Sequence, residues 1–469
     1  MLKHAEHEVL TKTYSCAEPP SVKNMRPFGI DRIEQIFRAN SESRLMEEFL
    51  FHFRQTGYTI RQVLLGVTAY DTAEPANLEA ILSSKFSDFS YGPRRAIAFP
   101  MFGDGIFTQE GEAWKHSRDI LRPQLYHNQY ESLDLFREPV DDLLRALPQE
   151  AGVVDLQPLF FRFTLDVTTA FLFGESIHSL RSPEKSREKR FADAFDLAQK
   201  YVVNRFRLAD LYWLIGGKEF RDACNQVHQF ADEIIDLNLS KGTESGDGEN
   251  RYVFLKAVAR RCPDREALRG QIINILAAGR DTTACALSWT FFHLVRHPHV
   301  LKKLRDELAQ LPADDKVDRA SIRRLPYLNN VMKEILRLYP SVPINYRVAA
   351  QTTVLPTGGG KERTSPVLIP KGTAVAYSVY AMHRRPDLYG IDAELFRPER
   401  WDEDLPMYRD ATLQRWGYLP FNEGPRVCIG MDFALTEVAY TIVEVVGAEK
   451  QTTTLVLQIT DGCKTELCC

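Results

Sequence analysis

The sequence predicts a mainly α-helical protein with small β-sheets. Three observations predict it. Apolar residues recur at helical spacing over most of the chain, most persistently from Leu268 to His297. Only short stretches, Tyr58–Leu65 and Val67–Tyr70 among them, read as strands. No long low-complexity linker divides the 469 residues, so the chain reads as one large domain although length alone would allow two or three.

Composition narrows the function classes. Hydrophobic residues make up 44% and aromatics 11%, enough for a large core. The net charge of −4 comes from interspersed signs, which argues against nucleic-acid binding. Eight cysteines are scattered without a Cys-x-x-Cys pair, so neither a disulfide framework nor a zinc site is expected, and a reducing compartment fits. No run of 18 apolar residues occurs, and the polar N-terminus is no signal peptide. The terminal Cys468-Cys469 pair reads as an inert tail rather than a prenylation signal.

Taken in order, residues 1–25 form a polar surface arm. Asp31 is placed to cap a helix carrying Ile33, Ile36 and Phe37, and Leu45, Met46, Phe49, Leu50 and Phe53 continue helical spacing until Gly57. Asn77–Ser83 reads as a helix. Trp114 and Arg118 are four apart and share a helix face. Helical patterns fill Leu156–Ser240, and Lys241–Asn250 reads as a mobile loop.

In the long Leu268–His297 helix the centre reads Ala277-Ala278-Gly279-Arg280-Asp281-Thr282-Thr283. Small residues at 277–279 let a neighbour lie flat against it, and Thr282 can bond back to a preceding carbonyl. Asn329–Leu338 forms another helix with Glu334 and Arg337 three apart. Leu355–Gly360 carries a glycine triplet without a following Lys-Ser/Thr, so it reads as a hairpin turn rather than a phosphate loop. Near the end, Thr452–Thr460 and Cys463–Leu467 flank Asp461-Gly462, a hairpin signal.

The most specific stretch is Phe421-Asn422-Glu423-Gly424-Pro425-Arg426-Val427-Cys428-Ile429-Gly430. It turns at Gly424, presents one cysteine and runs into an apolar helix carrying Phe433, Ala434, Val438 and Ile442. A helix N-terminus supplies unpaired N–H groups and a positive dipole end, which favour a thiolate. Gly424 and Gly430 let backbone approach a flat ligand. Arg426 is placed to meet an acidic group on it.

This stretch resembles the haem-binding loop of the cytochrome P-450 monooxygenases, Phe-x-x-Gly-x-Arg-x-Cys-x-Gly, at every defined position. The resemblance implies the family's fold, with haem b between a long central helix and the Cys loop. It makes Cys428 the iron ligand, with Phe421, Gly424, Arg426 and Gly430 shaping the loop. Trp114 and Arg118 become donors to a haem propionate. The centre of the long helix resembles the oxygen-activation motif, so Thr282 stands beside bound O2 and Asp281 acts in proton relay. Glu334, Arg337 and Arg400 (in Pro398-Glu399-Arg400-Trp401) become a structural ion network under the loop.

Further segments resemble the fungal branch that hydroxylates n-alkanes and fatty acids: Arg94-Arg95, Gly103–Phe107, Arg251–Leu255, Pro356–Gly360 and Tyr377–Arg385. The resemblance therefore implies terminal hydroxylation of a hydrophobic aliphatic chain, with electrons from NADPH–cytochrome P-450 reductase. This chain has no Gly-x-Gly-x-x-Gly nucleotide fingerprint of its own. Phe99, Phe102, Leu276, Ala277, Val342, Pro343 and Ile344 are the expected pocket residues. The alternatives are a tailoring oxygenase of secondary metabolism and a haem-binding protein without turnover.

By the same resemblance the protein belongs on the cytoplasmic face of the endoplasmic reticulum, with contact to the membrane surface. The expected domains are an arm at 1–25, after a missing membrane anchor, and one P-450 domain at 26–469. That domain is shortened after 446, where the family has a longer passage before its last hairpin.

Overall fold

The Arg265–Arg296 helix begins where Asp264 Oδ1 accepts the Ala267 N–H at 2.7 Å. It stops at His297, because Pro298 disfavours a helical residue before it. Apolar residues occur around its whole circumference, and it is buried along most of its length. In this computed structural model the described residues are 2–448, apart from 127–129, 132, 148–153, 184–185, 241–253 and 312–316. The expected mobile loop at Lys241–Asn250, the hairpin around Asp461-Gly462 and the Cys468-Cys469 tail lie outside the described residues.

Neighbours of the central helix are set by small and hydroxyl side chains. A Cβ at Gly279 would lie 2.7 Å from Thr168 Oγ1, so only glycine admits the Leu156–Phe173 helix at this depth. Thr164 of that helix donates to the Arg280 carbonyl at 2.7 Å. On another side, Asn274 Oδ1 accepts the Phe107 N–H at 2.9 Å while its Nδ2 donates to the Phe102 carbonyl at 3.0 Å. One amide thereby ties the segment after the Arg94–Phe102 helix to the central helix. The Arg187–Arg207 and Lys218–Ser240 helices pack on each other through Phe191 and Phe230, stacked 4.1 Å apart.

The strands are β1 (Thr59–Leu64), β2 (Val67–Thr72), β3 (Phe89–Ser90), β4 (Ile344–Ala349), β5 (Thr353–Gly359), β6 (Ser365–Ile369) and β7 (Ala374–Ser378). Five form one sheet in the order β1-β2-β7-β4-β3, antiparallel except for the β2–β7 pair. β5 and β6 form an antiparallel pair, and the glycine triplet closes this hairpin as expected. Gly358 adopts φ +113°, and a Cβ there would lie 2.3 Å from Thr59. Asn77 locks the two sheets, donating to Thr59, Thr72 and the Thr357 carbonyl and accepting the Thr357 N–H.

The N-terminal arm is docked, and one expectation, the Asp31 cap, is corrected. Leu2–Thr13 is helical, the Val22 N–H donates to the Arg61 carbonyl at 2.9 Å, and the Gly360 N–H donates to the Glu18 carbonyl at 3.0 Å. Asp31 does not cap the Ile30–Ser41 helix: Gly29, in the left-handed conformation, precedes it, and Asp31 Oδ2 accepts the Met25 N–H at 2.7 Å. An aspartate in the first turn serves the dipole equally well, so spacing alone could not separate the two positions.

Helices contribute one large apolar core, and the sheets with the segments after β7 contribute a second. The Cys428 segment lies where both meet, flanked by Phe433 of the first core and Leu419 of the second.

Candidate active site

The Cys loop owes its shape to two backbone positions. Gly424 adopts φ +74°, and a Cβ there would fall 2.0 Å from the Leu82 carbonyl oxygen. The Cys428 N–H returns to the Phe421 carbonyl at 3.0 Å, closing the loop just ahead of the Met431–Ala448 helix. Cys428 lies deep in the protein, yet its side chain faces open cavity rather than packed atoms. Burial raises its thiol above the ordinary range, opposed by the Gly430 N–H and the Arg118 charge.

One cavity joins this loop to the central helix. Ala278, Gly279, Thr282 and Thr283 form the wall that it shares with Cys428. Thr282 Oγ donates to the Ala278 carbonyl at 2.7 Å, which leaves its lone pairs for a donor in the cavity. Its own carbonyl accepts from Ser341 Oγ at 3.0 Å.

Asp281 does not line the cavity. Its Oδ2 accepts from Gln199 of the Arg187–Arg207 helix at 2.6 Å, and Arg280 lies 3.3 Å from its Oδ1. Burial raises its carboxyl above the ordinary range, against the Arg280 charge and the Gln199 hydrogen bond. Val342 is the member of the expected pocket set that lines the cavity. Leu276 and Ala277 are buried on other faces of their helix, because the cavity stripe runs through Ile275, Ala278, Gly279 and Thr282. Phe99, Phe102, Pro343 and Ile344 also lie off the cavity wall.

Trp114, Arg118 and Arg426 come together at one end. The Arg426 guanidinium lies 4.1 Å from the ring centres of both Trp114 and Tyr91, and Arg118 lies 5.9 Å from Trp114. Arg426 Nη2 donates to the Gln109 carbonyl at 3.2 Å, while its buried Nη1 has no hydrogen-bond partner. Burial lowers both guanidiniums, yet arginine remains a cation. Tyr91, Arg94 and Arg347 complete this group; Tyr91 and Arg347 were not read from the sequence, and Arg94 only as part of the Arg94-Arg95 segment that resembles the fungal branch. Burial alone would raise the Tyr91 phenol, but Arg347, Arg94 and Arg426 outweigh it and bring it down. A lone arginine inside the otherwise uncharged β4 pattern is the signal that could have found Arg347.

Beneath the loop, Glu334 receives a two-pronged bond from Arg337, both contacts at 2.8 Å, and Arg400 Nε lies 3.3 Å from Oε1. All three side chains are 0% exposed. The carboxylate also accepts from Trp401 Nε1 and the Arg397 N–H, and Arg337 Nη1 donates to the His383 and Ala393 carbonyls. The buried charges are therefore paired and hydrogen-bonded, the condition under which such a cluster is tolerated. His383, which the sequence did not single out by itself, connects this cluster to the segment leading into the loop. Its Nε2 accepts the Leu419 N–H at 2.9 Å, so its Nδ1 donates to the Arg337 carbonyl at 3.0 Å.

The residues present suit a flat group with acidic substituents and a metal that a thiolate would hold. The cavity wall includes four guanidiniums, of Arg94, Arg118, Arg347 and Arg426, and no carboxylate among the described residues. Arg426 Nη1 lacks a partner, and a Cβ at Gly430 would meet nothing within 4 Å. The Cys428 thiol faces this space. The set fits a haem site. The cytochrome P450 family model matches residues 34–447, and the chain belongs to that family.

It is 43% identical to a cytochrome P450 of Arthroderma benhamiae over 98% of this chain and 93% of that protein. It is 41% identical to cytochrome P450 monooxygenase g430 of Fusarium sp, over 93% and 80% of the two chains. With cytochrome P450 52A5 of Candida maltosa it shares 44% identity over 80% and 74%. These relatives agree with the fungal branch that the motifs resemble. The protein is an oxidoreductase, a P450 monooxygenase that binds haem b and uses O2, a redox partner and a hydrophobic substrate. No helix among the described residues is long and apolar enough to cross a membrane.

Proposed function

We propose that this monooxygenase hydroxylates long aliphatic chains, fatty acids or n-alkanes, at or near the free end. The observation that carries the reading is the shared cavity of Cys428 and Thr282, whose remaining wall is largely apolar, with Ile106, Phe107, Ile275 and Val342. Each buried methylene contributes about 0.8 kcal/mol, so affinity rises with chain length until the space is full. Oxidation at the terminus demands a confined approach, because secondary C–H bonds are weaker.

Cys428 would hold the iron of haem b through its thiolate, and Trp114, Arg118 and Arg426 would meet its propionates. Haem, when bound, supplies oxygen activation and insertion into an unactivated C–H bond. Thr282 Oγ, its proton committed to Ala278, accepts a hydrogen bond from a cavity water and orients it. Asp281, its carboxyl raised by burial, lies behind that helix face against Gln199 and is the acid of the proton relay. Glu334, Arg337 and Arg400 keep the loop in place. The electrons come from NADPH–cytochrome P-450 reductase.

The setting we propose is the cytoplasmic face of the endoplasmic reticulum. Trp213, 66% exposed, and Leu214, 58% exposed, support contact with its surface from the connection between two helices. The test of function is a homologous series of fatty acids and alkanes, with the hydroxylated position read by mass spectrometry. Terminal or near-terminal products are expected. Oxidation of a ring-bearing metabolite, with none of the series bound or oxidised, would overturn the reading.

A further inference from the structure

We propose that Arg94 binds the carboxylate of the substrate, which makes the fatty acid, rather than the n-alkane, the preferred substrate. The inference rests on the aliphatic reading above and names the head group that this pocket recognises.

Arg94 opens the Arg94–Phe102 helix and lines the cavity. It forms no ion pair with any described residue, and its buried Nε has no hydrogen-bond partner. Its neighbour Arg95 points elsewhere and is matched by Asp104 at 2.6 Å. Arg94 is held in place without being neutralised. Its Nη2 donates to Asn345 Oδ1 at 2.6 Å, and its guanidinium lies 4.1 Å from the Tyr91 ring centre and 5.4 Å from that of Tyr346. A fixed, half-buried guanidinium facing apolar space is built to receive an anion.

Charge balance identifies the anion's source. Four guanidiniums line the cavity. Haem b brings two carboxylates, so two of the four guanidiniums exceed its charge. Besides Tyr91, Arg94 also has the Phe206 ring, from the end of the Arg187–Arg207 helix, 5.9 Å from its guanidinium. A third carboxylate there would be the substrate's. The shared chemistry is a carboxylate, and the two sources, substrate and haem, separate experimentally.

Dodecanoate, methyl dodecanoate and dodecane are titrated into the haem-loaded protein, and haem content is measured independently. The parent is expected to bind the acid about ten- to a hundredfold more tightly than the ester, the range for a hydrogen bond to a charged group. Arg94→Gln should erase that preference while keeping haem content and ester affinity; Arg94→Lys should keep part of it. Equal binding of acid and ester by the parent would overturn the proposal even if Arg94→Gln does not fold. So would an unchanged acid-to-ester ratio in Arg94→Gln accompanied by loss of haem, which would assign the arginine to a propionate. If the parent binds none of the three, the aliphatic reading itself fails.

Discussion

The Leu419 N–H donates to His383 Nε2 at 2.9 Å, and this bond connects the Cys loop to its ionic support. Through Nδ1 the same ring holds the Arg337 carbonyl, so one imidazole spans the distance between the buried triad and the segment entering Phe421. Burial, with the Arg337 charge beside it, lowers His383 to about 3. The ring is neutral in the folded protein at any ordinary pH.

His383→Ala leaves the Leu419 N–H and the Arg337 carbonyl buried without partners. A cost of about 1–3 kcal/mol for each is expected, with haem lost more easily in denaturant titrations. A pH effect accompanies it. The unfolded imidazole gains a proton as pH falls past about 6.5 and the folded one only near 3, so folding stability contributed by His383 falls with pH across that window. Stability curves of the parent and of His383→Gln should therefore converge as pH drops from 6.5 toward 4. Parallel curves would show that the ring does not titrate on unfolding.

Removing one partner of the triad should cost more. Arg337→Ala removes the two-pronged partner of Glu334 at 0% exposure and leaves Arg400 as its remaining cation, for which about 3–5 kcal/mol is expected. Arg337→Lys should rescue poorly, because an ammonium cannot reproduce the two 2.8 Å contacts together with the carbonyl bonds. Chemical denaturation monitored by haem release reads both variants.

Gly424 and Gly372 both adopt positive φ, +74° and +85°, but only Gly424 is crowded. Gly372→Ala should cost about 1 kcal/mol of backbone strain alone. Gly424→Ala must also displace the Leu82 carbonyl and should lose haem. Equal stability losses in the two variants would contradict this account of the loop.

How much of this was legible in the sequence follows the range of the contacts. Cys428, Gly424 and Arg426 sit in one local stretch, and Glu334 and Arg337 are one helix turn apart, so each formed a local motif that the family resemblance could mark. Arg400 was reachable through the Pro398–Trp401 segment. Tyr91, Arg347 and the place of Arg94 beside them were not, because β4 and the residues after β3 become neighbours only through sheet pairing. The pocket set failed at Leu276 and Ala277 for a related reason: an apolar helix buried on all faces carries no mark of which face meets the cavity. Asp281 and Thr282 are adjacent in sequence yet point to different surroundings, since successive helix residues lie about 100° apart.

That divergence separates their roles. Thr282→Ala should keep haem and substrate binding while product formed per NADPH consumed falls, because the cavity loses its hydroxyl acceptor. Asp281→Asn keeps a Gln199 partner but cannot hold an exchangeable acid proton, so turnover should slow with binding intact. Coupling at the parent value in Thr282→Ala would remove that hydroxyl from the proton path.

The central claim is that Cys428 provides a thiolate to haem iron in the cavity shared with Thr282. The reduced carbon-monoxide absorbance spectrum of the parent and of Cys428→Ser tests it most directly. A serine hydroxyl is a poor, mostly protonated iron ligand. The account predicts a red-shifted, thiolate-type Soret band in the parent and its loss in the variant. Survival of that band in Cys428→Ser would contradict it.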